Sequence, residues 1–121
     1  MARRIQNPRG EAAFADLDVL LALAARPRVF VKVSSVPNFS AEPYPHRDIQ
    51  PYLRRIYDAF GPQRLFWGSD ITRLSGAYRD CLRLFQEELD FLSAADRELI
   101  LGGALAQALN WAEPGPRIHP A

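Results

Sequence analysis

The stretch Arg64-Leu65-Phe66-Trp67-Gly68-Ser69-Asp70 (RLFWGSD) ends a short apolar run with a glycine, a serine and one acid. Leu65 to Trp67 predicts a buried β-strand, because turn residues bound a run of aromatic and aliphatic side chains. One interpretation makes Asp70 an active-site acid displayed at the tip of that strand. The other makes Gly-Ser-Asp an ordinary turn, with Asp70 capping the next helix.

A second strand is predicted upstream at Val29-Phe30-Val31-Lys32-Val33, which is β-branched and aromatic. Its nearly continuous apolarity predicts burial on both faces. Lys32 is the one charged residue in this apolar run, and two interpretations of it stay open. The side chain either reaches solvent from the end of the strand or points a cation into a site.

Four helices are predicted around these strands, because apolar residues recur there at helical spacing. Asp48 is expected to cap the second helix, with Pro51 in its first turn, and Ser93 to Asp96 is expected to form a capping box. Gly102-Gly103 predicts a kink in the last helix. The predicted helices cover residues 11–25, 49–60, 78–89 and 94–111, and the proline-rich residues 36–47 form a long loop.

The order of predicted elements is helix–strand–helix–strand–helix–helix, which places the chain in the α/β class. A strand–helix–strand unit with buried strands implies a parallel crossover. Two parallel strands cannot close a sheet, and they leave unpaired N–H and C=O groups at both edges. The predicted fold is therefore part of a larger sheet or barrel.

Composition limits the classes of function. The 121 residues suit one domain, and a formal charge of +1 gives no electrostatic reason to expect nucleic acid or a membrane as partner. No apolar run has the length of a membrane span or of a secretory signal. The single Cys81 excludes an internal disulfide and favours a reducing, cytoplasmic location. The two histidines, His46 and His119, form no His-x-His pair, and no glycine-rich phosphate loop is present.

Several segments, in a fixed order, resemble the amidohydrolase-related ("amidohydrolase 2") branch of the metal-dependent hydrolases. In that family, a strand similar to NVYVKVSG precedes a helix and then a strand that ends in WGSD or GSDWP. The resemblance covers residues 12 to 112, and the ordered set is more specific than Gly-Ser-Asp alone. The matching segments are residues 29–34, the loop Tyr44-Pro45-His46-Arg47-Asp48, RLFWGSD and residues 96–111.

The resemblance implies the C-terminal part of a (β/α)₈ TIM barrel that is incomplete, with about two parallel strands and four helices. The strands would correspond to barrel strands seven and eight. The earlier strands, which carry the family's metal-binding histidines, would be missing. One partial domain is expected over residues 1–121, with an ordered core at 11–112 and loose ends at 1–10 and 113–121.

For Asp70, the resemblance implies the roles of metal ligand and general base, since barrel sites lie at the carboxyl ends of strands. A divalent metal lowers the pKa of a water that it binds, and a carboxylate can take the proton. Gly68 is expected to turn the backbone so that Asp70 points into the barrel mouth. The implied reaction is hydrolysis of a small carboxylate or lactone-like substrate, or decarboxylation as in some members.

Three other residues are candidates for substrate binding, and for each a solvated surface position is the alternative. His46 lies in the long loop after the first strand, and Arg73 lies just past Asp70. Arg47 has the fork geometry that pairs with a carboxylate. Ser69 is not interpreted as a nucleophile, because no Gly-x-Ser-x-Gly turn surrounds it.

Zinc is the metal that the resemblance implies for the full-length parent. We expect none to be bound by this chain alone, because one carboxylate and loop histidines do not complete a ligand set. The isolated chain is therefore expected to be inactive. The alternative is a non-catalytic interaction or oligomerisation module, whose open strand edges pair with a second copy or with the missing N-terminal part.

Overall fold

The computed structural model describes residues 8–111. Within them, β1 (Val31–Ser34) and β2 (Leu65–Gly68) form a two-stranded parallel sheet, in which Val31 lies opposite Leu65 and Ser34 lies opposite Gly68. The α-helices of the described part are α1 (Leu17–Ala22), α2 (Gln50–Phe60), α3 (Tyr78–Arg83), α4 (Ala94–Glu98) and α5 (Ala104–Ala108).

Shorter turns join or extend these helices. One π-helical turn continues α3, and a second links α4 to α5, so the described part holds four longer helical segments: 17–25, 50–60, 78–88 and 94–108. Two parallel strands and four helical segments confirm the predicted α/β plan. The π-helical turns are Leu84–Glu88 and Leu99–Gly103, and the 3₁₀ turns are Gly10–Phe14, Leu23–Ala25, Val36–Phe39 and Pro62–Arg64.

The hydrophobic core lies on one face of the sheet. Val33 and Leu65 point into it, and the helices cover them with a group of buried aliphatic and aromatic side chains. Burial of each such side chain is worth about 1.5–3 kcal/mol. The covering residues are Leu17, Leu53, Ile56, Phe60, Leu84, Phe85, Leu89, Leu92 and Ile100.

The other face of the sheet is open, so the prediction that both faces of the first strand are buried is wrong for the described residues. Side chains alternate between the two faces of a strand, and the register places Lys32 beside Phe66 on the uncovered face. Lys32 is exposed, and Phe30 stacks on Phe66 with a ring-centroid distance of 5.1 Å while 43% of its own surface stays exposed. The run therefore places apolar side chains on both faces of the strand, but other described residues cover only one of these faces.

Two predicted helix starts differ from the structure. The segment 11–25 is broken into a 3₁₀ turn, α1 and a second 3₁₀ turn, although Phe14 still packs on the core and stacks on Tyr52 at 4.5 Å. Asp48 does not cap α2, whose N-cap is Ile49. The Asp48 carboxylate instead accepts hydrogen bonds from the Ser40 hydroxyl and from the Ala41 N–H at 2.8 Å.

The other helix signals are confirmed. The Ser93 hydroxyl accepts from the Asp96 N–H at 3.1 Å, and the Asp96 carboxylate accepts from the Ser93 N–H at 3.0 Å, which is the predicted capping box. Gly61 follows α2 with φ 78°, as expected for a helix end. The backbone breaks from helical geometry at Gly102, inside the π-helical turn, where the kink is predicted.

Cys81 is fully buried on α3, and burial raises the pKa of its thiol. Trp67 lies beside it on β2 and donates its indole N–H to the Cys81 carbonyl oxygen at 3.3 Å. Both residues therefore serve packing. Within the described residues, no helix is long and apolar enough to cross a membrane. The predicted loose ends at 1–10 and 113–121 lie almost entirely outside the described residues.

Candidate active site

The loops that follow the two strands contact each other directly at the carboxyl edge of the sheet. Ser35, the first residue after β1, is buried, and its backbone is left-handed with φ 51°. Its N–H donates to the Gly68 carbonyl oxygen at 3.2 Å, and its hydroxyl donates to the Ser69 carbonyl oxygen at 3.0 Å. Ser35 therefore extends the pairing of the strands by one step and holds the chain just before Asp70.

Asp70 lies two residues past β2 and is exposed. Its φ of 45° places it in the left-handed region, which aspartate enters more readily than most residues do. Its carbonyl oxygen accepts the N–H groups of Arg73 at 2.8 Å and Leu74 at 3.2 Å, so a turn begins here. The following helix, α3, has Ala77 as its N-cap and no side-chain cap, so the alternative interpretation of Asp70 as a helix cap is wrong.

Gly68 is not the turning point that the sequence predicted. It is the last residue of β2, and the reversal of the chain takes place at Asp70. A Cβ atom at Gly68 would lie 3.4 Å from the Cβ of Ser34, which is about van der Waals contact. The turn therefore depends on the conformation of Asp70 itself.

Asn38 is a contact residue that the sequence did not indicate. It lies in the 3₁₀ turn after β1, and its side-chain N–H donates to the Arg73 carbonyl oxygen at 2.7 Å. Its Oδ1 accepts from the N–H of Ser75 at 2.9 Å and from the hydroxyl of Ser75 at 2.8 Å. One amide thus ties the loop after β1 to the loop after β2. An asparagine in a proline-rich loop carries no periodic signal that predicts such partners.

His46 lies at a cavity between the same two loops. The cavity has a volume of about 220 Å³, and its walls include His46, Tyr44 and Asp80. The Nδ1 atom of His46 lies 2.9 Å from the Glu42 carbonyl oxygen, and its ring meets that of Tyr44 edge-on at 5.9 Å. The cavity is thus lined by polar groups from both strand-end loops.

Tyr44 lines this cavity, and its hydroxyl donates a hydrogen bond to the Glu88 carboxylate at 3.1 Å. Burial, together with this hydrogen bond to an acid, raises the pKa of Tyr44. The phenol therefore stays protonated at neutral pH and acts as a fixed hydrogen-bond donor. This contact ties the long loop to the helical segment that continues α3.

The remaining predicted contact residues lie in different places. Arg73 is exposed and shares a turn with Asp70. Arg47 is also exposed, but it lines a separate crevice beside the start of α2, with Gln50 and Asp90. The structure thus brings Arg73 to Asp70 and His46 to the neighbouring cavity, and it brings Arg47 to neither.

Asp70 is the acid that the turn after β2 offers to a metal. Asp70 presents an oxygen donor of the kind that divalent metals accept, and it takes part in none of the ion pairs within residues 8–111. No group of three or more His, Cys, Asp or Glu side chains in this part of the chain is placed to hold a metal ion. Asp70 can supply one ligand to a metal ion, but the described residues do not supply a complete ligand set.

The sequence model of a family described as amidohydrolase matches residues 5–106. The chain belongs to the amidohydrolase family. The resemblance in the sequence is thereby confirmed, and so is the assignment of the two strands and four helical segments to part of an amidohydrolase barrel.

Two curated relatives of this amidohydrolase chain are lactonases. It is 43% identical over 63 residues to an L-fucono-1,5-lactonase of Burkholderia ambifaria, a match that covers 48% of this chain and 21% of the relative. It is 38% identical over 71 residues to an L-fucono-1,5-lactonase of Burkholderia multivorans, covering 56% of this chain and 24% of the relative. The amidohydrolase chain thus spans less than a quarter of either relative's length.

Solved structures resemble a larger part of the chain. An amidohydrolase of Burkholderia multivorans, crystallised with bound zinc, superposes with a TM-score of 0.62 at 32% identity and covers 81% of this chain and 40% of its own. A second crystal form, with bound HEPES, gives a TM-score of 0.61 at 32% identity, with 80% of this chain and 39% of the other covered. The amidohydrolase chain therefore has the fold of somewhat less than half of that neighbour.

Proposed function

We propose that this chain supplies the strand-end acid of a metal-dependent hydrolase that opens a small sugar-acid lactone. The observation that carries the proposal is the exposed Asp70, presented on a left-handed turn at the carboxyl edge of the sheet. Membership of the amidohydrolase family supports hydrolysis. The lactonase relatives favour a lactone over an amide, and hydrolysis over decarboxylation.

In this reaction, water attacks the lactone carbonyl carbon, the ring C–O bond breaks, and a hydroxy acid is formed. The Asp70 carboxylate takes a proton from the attacking water and returns it to the departing alkoxide oxygen, which balances the step. A divalent metal held by Asp70 together with ligands from the rest of the barrel would supply Lewis-acid chemistry to such a carbonyl group. We propose zinc for this role, because the solved amidohydrolase neighbour holds zinc.

Substrate contacts are proposed for two residues. Arg73 lies in the turn of Asp70, so its guanidinium is available to an anionic or hydroxyl-rich substrate. His46 lines the cavity between the loops and offers a ring nitrogen to a hydroxyl group. The position of Arg47 in another crevice adds no support for the binding role that the sequence suggested.

We propose that the chain is catalytically silent by itself and acts when the remaining strands of the barrel complete the site. The open face of the sheet supports this, since Lys32 and Phe30 are exposed where a barrel would enclose them. The open edges of the two-stranded sheet support the alternative function, a non-catalytic interaction module that pairs through its strands.

Activity of a chimera distinguishes these functions. The chain replaces the part of the Burkholderia multivorans amidohydrolase that it matches, and hydrolysis of L-fucono-1,5-lactone is measured with zinc. We expect turnover that a chelator removes and zinc restores, and a loss of about 100-fold or more in Asp70→Asn.

An interaction module predicts the opposite result. A folded chimera in which Asp70→Asn hydrolyses the lactone as fast as its parent contradicts the catalytic proposal. Circular dichroism and thermal unfolding of both proteins establish that each is folded. Ser69→Ala is the matched control, because it changes the adjacent side chain, and only the Ser69 carbonyl oxygen takes part in the contact with Ser35.

A further inference from the structure

The conformation of Asp70 needs support from outside the residue. A left-handed backbone at a residue other than glycine costs about 1–3 kcal/mol and persists where the surroundings impose it. Asp70 has φ 45°, and its side chain takes part in none of the ion pairs of the described residues. The carbonyl oxygen of Asp70 accepts the N–H groups of Arg73 and Leu74 within the turn, and the loop after β1 adds hydrogen bonds to the chain on either side of Asp70.

On the upstream side, Ser35 provides the anchor. Its hydroxyl and N–H donate to the carbonyl oxygens of Ser69 at 3.0 Å and Gly68 at 3.2 Å. Ser35 is buried, with 6% of its surface exposed, and the hydrogen bond of its hydroxyl is partly buried. The peptide that precedes Asp70 is thereby fixed against the end of β1.

On the downstream side, Asn38 provides three hydrogen bonds. Its Nδ2 donates to the Arg73 carbonyl oxygen at 2.7 Å, and its Oδ1 accepts from the N–H of Ser75 at 2.9 Å and the hydroxyl of Ser75 at 2.8 Å. Both lone pairs of the amide oxygen are used. The single side chain thus fixes two residues of the segment that follows the Asp70 turn.

We propose that Asn38 is a positioning residue for Asp70, with Ser35 as the second anchor. Asp70 lies between the two anchors, so the loop after β1 sets the direction in which the strand-end carboxylate points. Asn38 acts through the backbone of residues 73 and 75 and through the hydroxyl of Ser75. The inference deepens the proposed function and rests on it for its meaning, although the conformational effect is measurable without any activity.

A general role in holding the loops together is the competing explanation, and His46 separates the two. His46 lies in the same pair of loops and is also left-handed, with φ 58°, and none of its contacts involves Asn38. Loss of a general clamp loosens both Asp70 and His46. Loss of a positioning residue releases Asp70 and leaves His46 as it was.

The experiment is NMR spectroscopy of the isotope-labelled 121-residue chain. The HN–Hα coupling constant and the Cα shift report φ at Asp70 and at His46, and amide exchange reports the hydrogen bond of the Ser75 N–H. In Asn38→Ala, we expect the Asp70 values to move toward those of an averaged backbone while those of His46 stay. Exchange at Ser75 should accelerate about tenfold, the loss of roughly one hydrogen bond.

Gln50→Ala is the matched control, because this amide also donates to a loop carbonyl oxygen, that of Pro45 at 2.9 Å, and no hydrogen bond joins it to residues 69–75. It should leave Asp70 and Ser75 unchanged. If Asn38→Ala does not fold, Ser75→Ala tests the positioning role in its place. This substitution removes one of the three hydrogen bonds of Asn38, and Ser75 is exposed. We expect it to shift Asp70 in the same direction by a smaller amount.

Unchanged Asp70 values in a folded Asn38→Ala chain overturn the proposal, and so does an equal shift at Asp70 and His46. If Asn38→Ala does not fold, unchanged Asp70 values in Ser75→Ala overturn it as well. The activity of the chimera plays no part in these outcomes. A catalytic failure of Asp70 is therefore distinguishable from a failure of the positioning role.

Discussion

Asp96 joins two helices through hydrogen bonds to a side chain and to the backbone. Its carboxylate accepts from the Tyr57 hydroxyl on α2 at 2.8 Å and from the Ser93 N–H at the start of α4 at 3.0 Å. The Ser93 backbone N–H, with the Tyr57 hydroxyl, lowers the pKa of Asp96, and the hydrogen bond to Asp96 raises the pKa of Tyr57. The ionised carboxylate and the neutral phenol are thus the forms that stabilise the fold.

Asp96→Asn should therefore destabilise the chain at pH 7 by about 1 kcal/mol, the usual worth of a helix N-terminal contact. The lowered pKa of Asp96 means that its stabilisation is present above the unfolded pKa, near 4, and is lost as pH falls through the folded value. Urea unfolding of both proteins should show a difference in free energy at pH 7 that shrinks below about pH 4. Glu98→Gln, an exposed acid on the same helix, should show no such difference.

Single residues differ in how far the sequence predicts them. The position of Asp70 after a strand follows from the apolar run before it, and the Ser93 capping box follows from residues three apart. Asn38 could not be found in this way, because its partners lie 35 and 37 residues along the chain. Asp48 has the right type and place for an N-cap, yet the donors of a folded loop compete for its carboxylate.

At the scale of elements, α2 is the most predictable, since its apolar spacing, early proline and terminal glycine all agree. The first helical segment is less regular than its spacing suggests, because tertiary contacts of Phe14 with Phe39 and Tyr52 hold it in separate turns. For β1, the sequence predicts the strand correctly but not its burial. Its apolar run indicates a buried strand, but the sequence does not say which polypeptide covers each face.

The end of α2 gives a prediction that depends on backbone geometry alone. Gly61 has φ 78° and ψ 160°, a region that is essentially restricted to glycine, and a Cβ there would meet no atom within 4 Å. Gly61→Ala should lower the free energy of unfolding by about 1–3 kcal/mol through strain without a clash. Thermal or urea unfolding measures this change.

Gly76→Ala is the comparison for that measurement. A Cβ at Gly76 also meets no atom within 4 Å, and its φ lies outside the left-handed region. The substitution should change stability by less than about 0.5 kcal/mol. Equal effects of the two substitutions would show that the geometry of the α2 end is not the cause.

At the scale of the whole molecule, the small number of suitable ligands limits the affinity for a metal ion. Asp70 is one oxygen ligand, and residues 8–111 contain no cluster of three or more suitable side chains. We expect the isolated 121-residue chain to bind zinc more weakly than micromolar, because affinity at such sites grows with the number of preorganised ligands. Equilibrium dialysis measures it, with Asp70→Asn as the comparison. Micromolar or tighter binding that disappears in Asp70→Asn contradicts the expectation.

The uncovered face of the sheet leads to the last prediction, which concerns pairing with the rest of a barrel. Phe30 stacks on Phe66 beside Lys32, and this aromatic surface is open where a closed barrel has other strands. We expect the chain to bind a polypeptide that carries the part of the Burkholderia multivorans amidohydrolase that it does not match.

Phe30→Asp should weaken that binding about tenfold or more, because burial of a phenylalanine side chain is worth about 1.5–3 kcal/mol and a buried unpaired carboxylate adds a further cost. Isothermal titration calorimetry measures the affinity. Val19→Asp is the matched control, since Val19 is an exposed apolar residue on α1, away from the open face. Equal affinities of the two variants would mean that the open face is not the surface that pairs, because only Phe30 belongs to it.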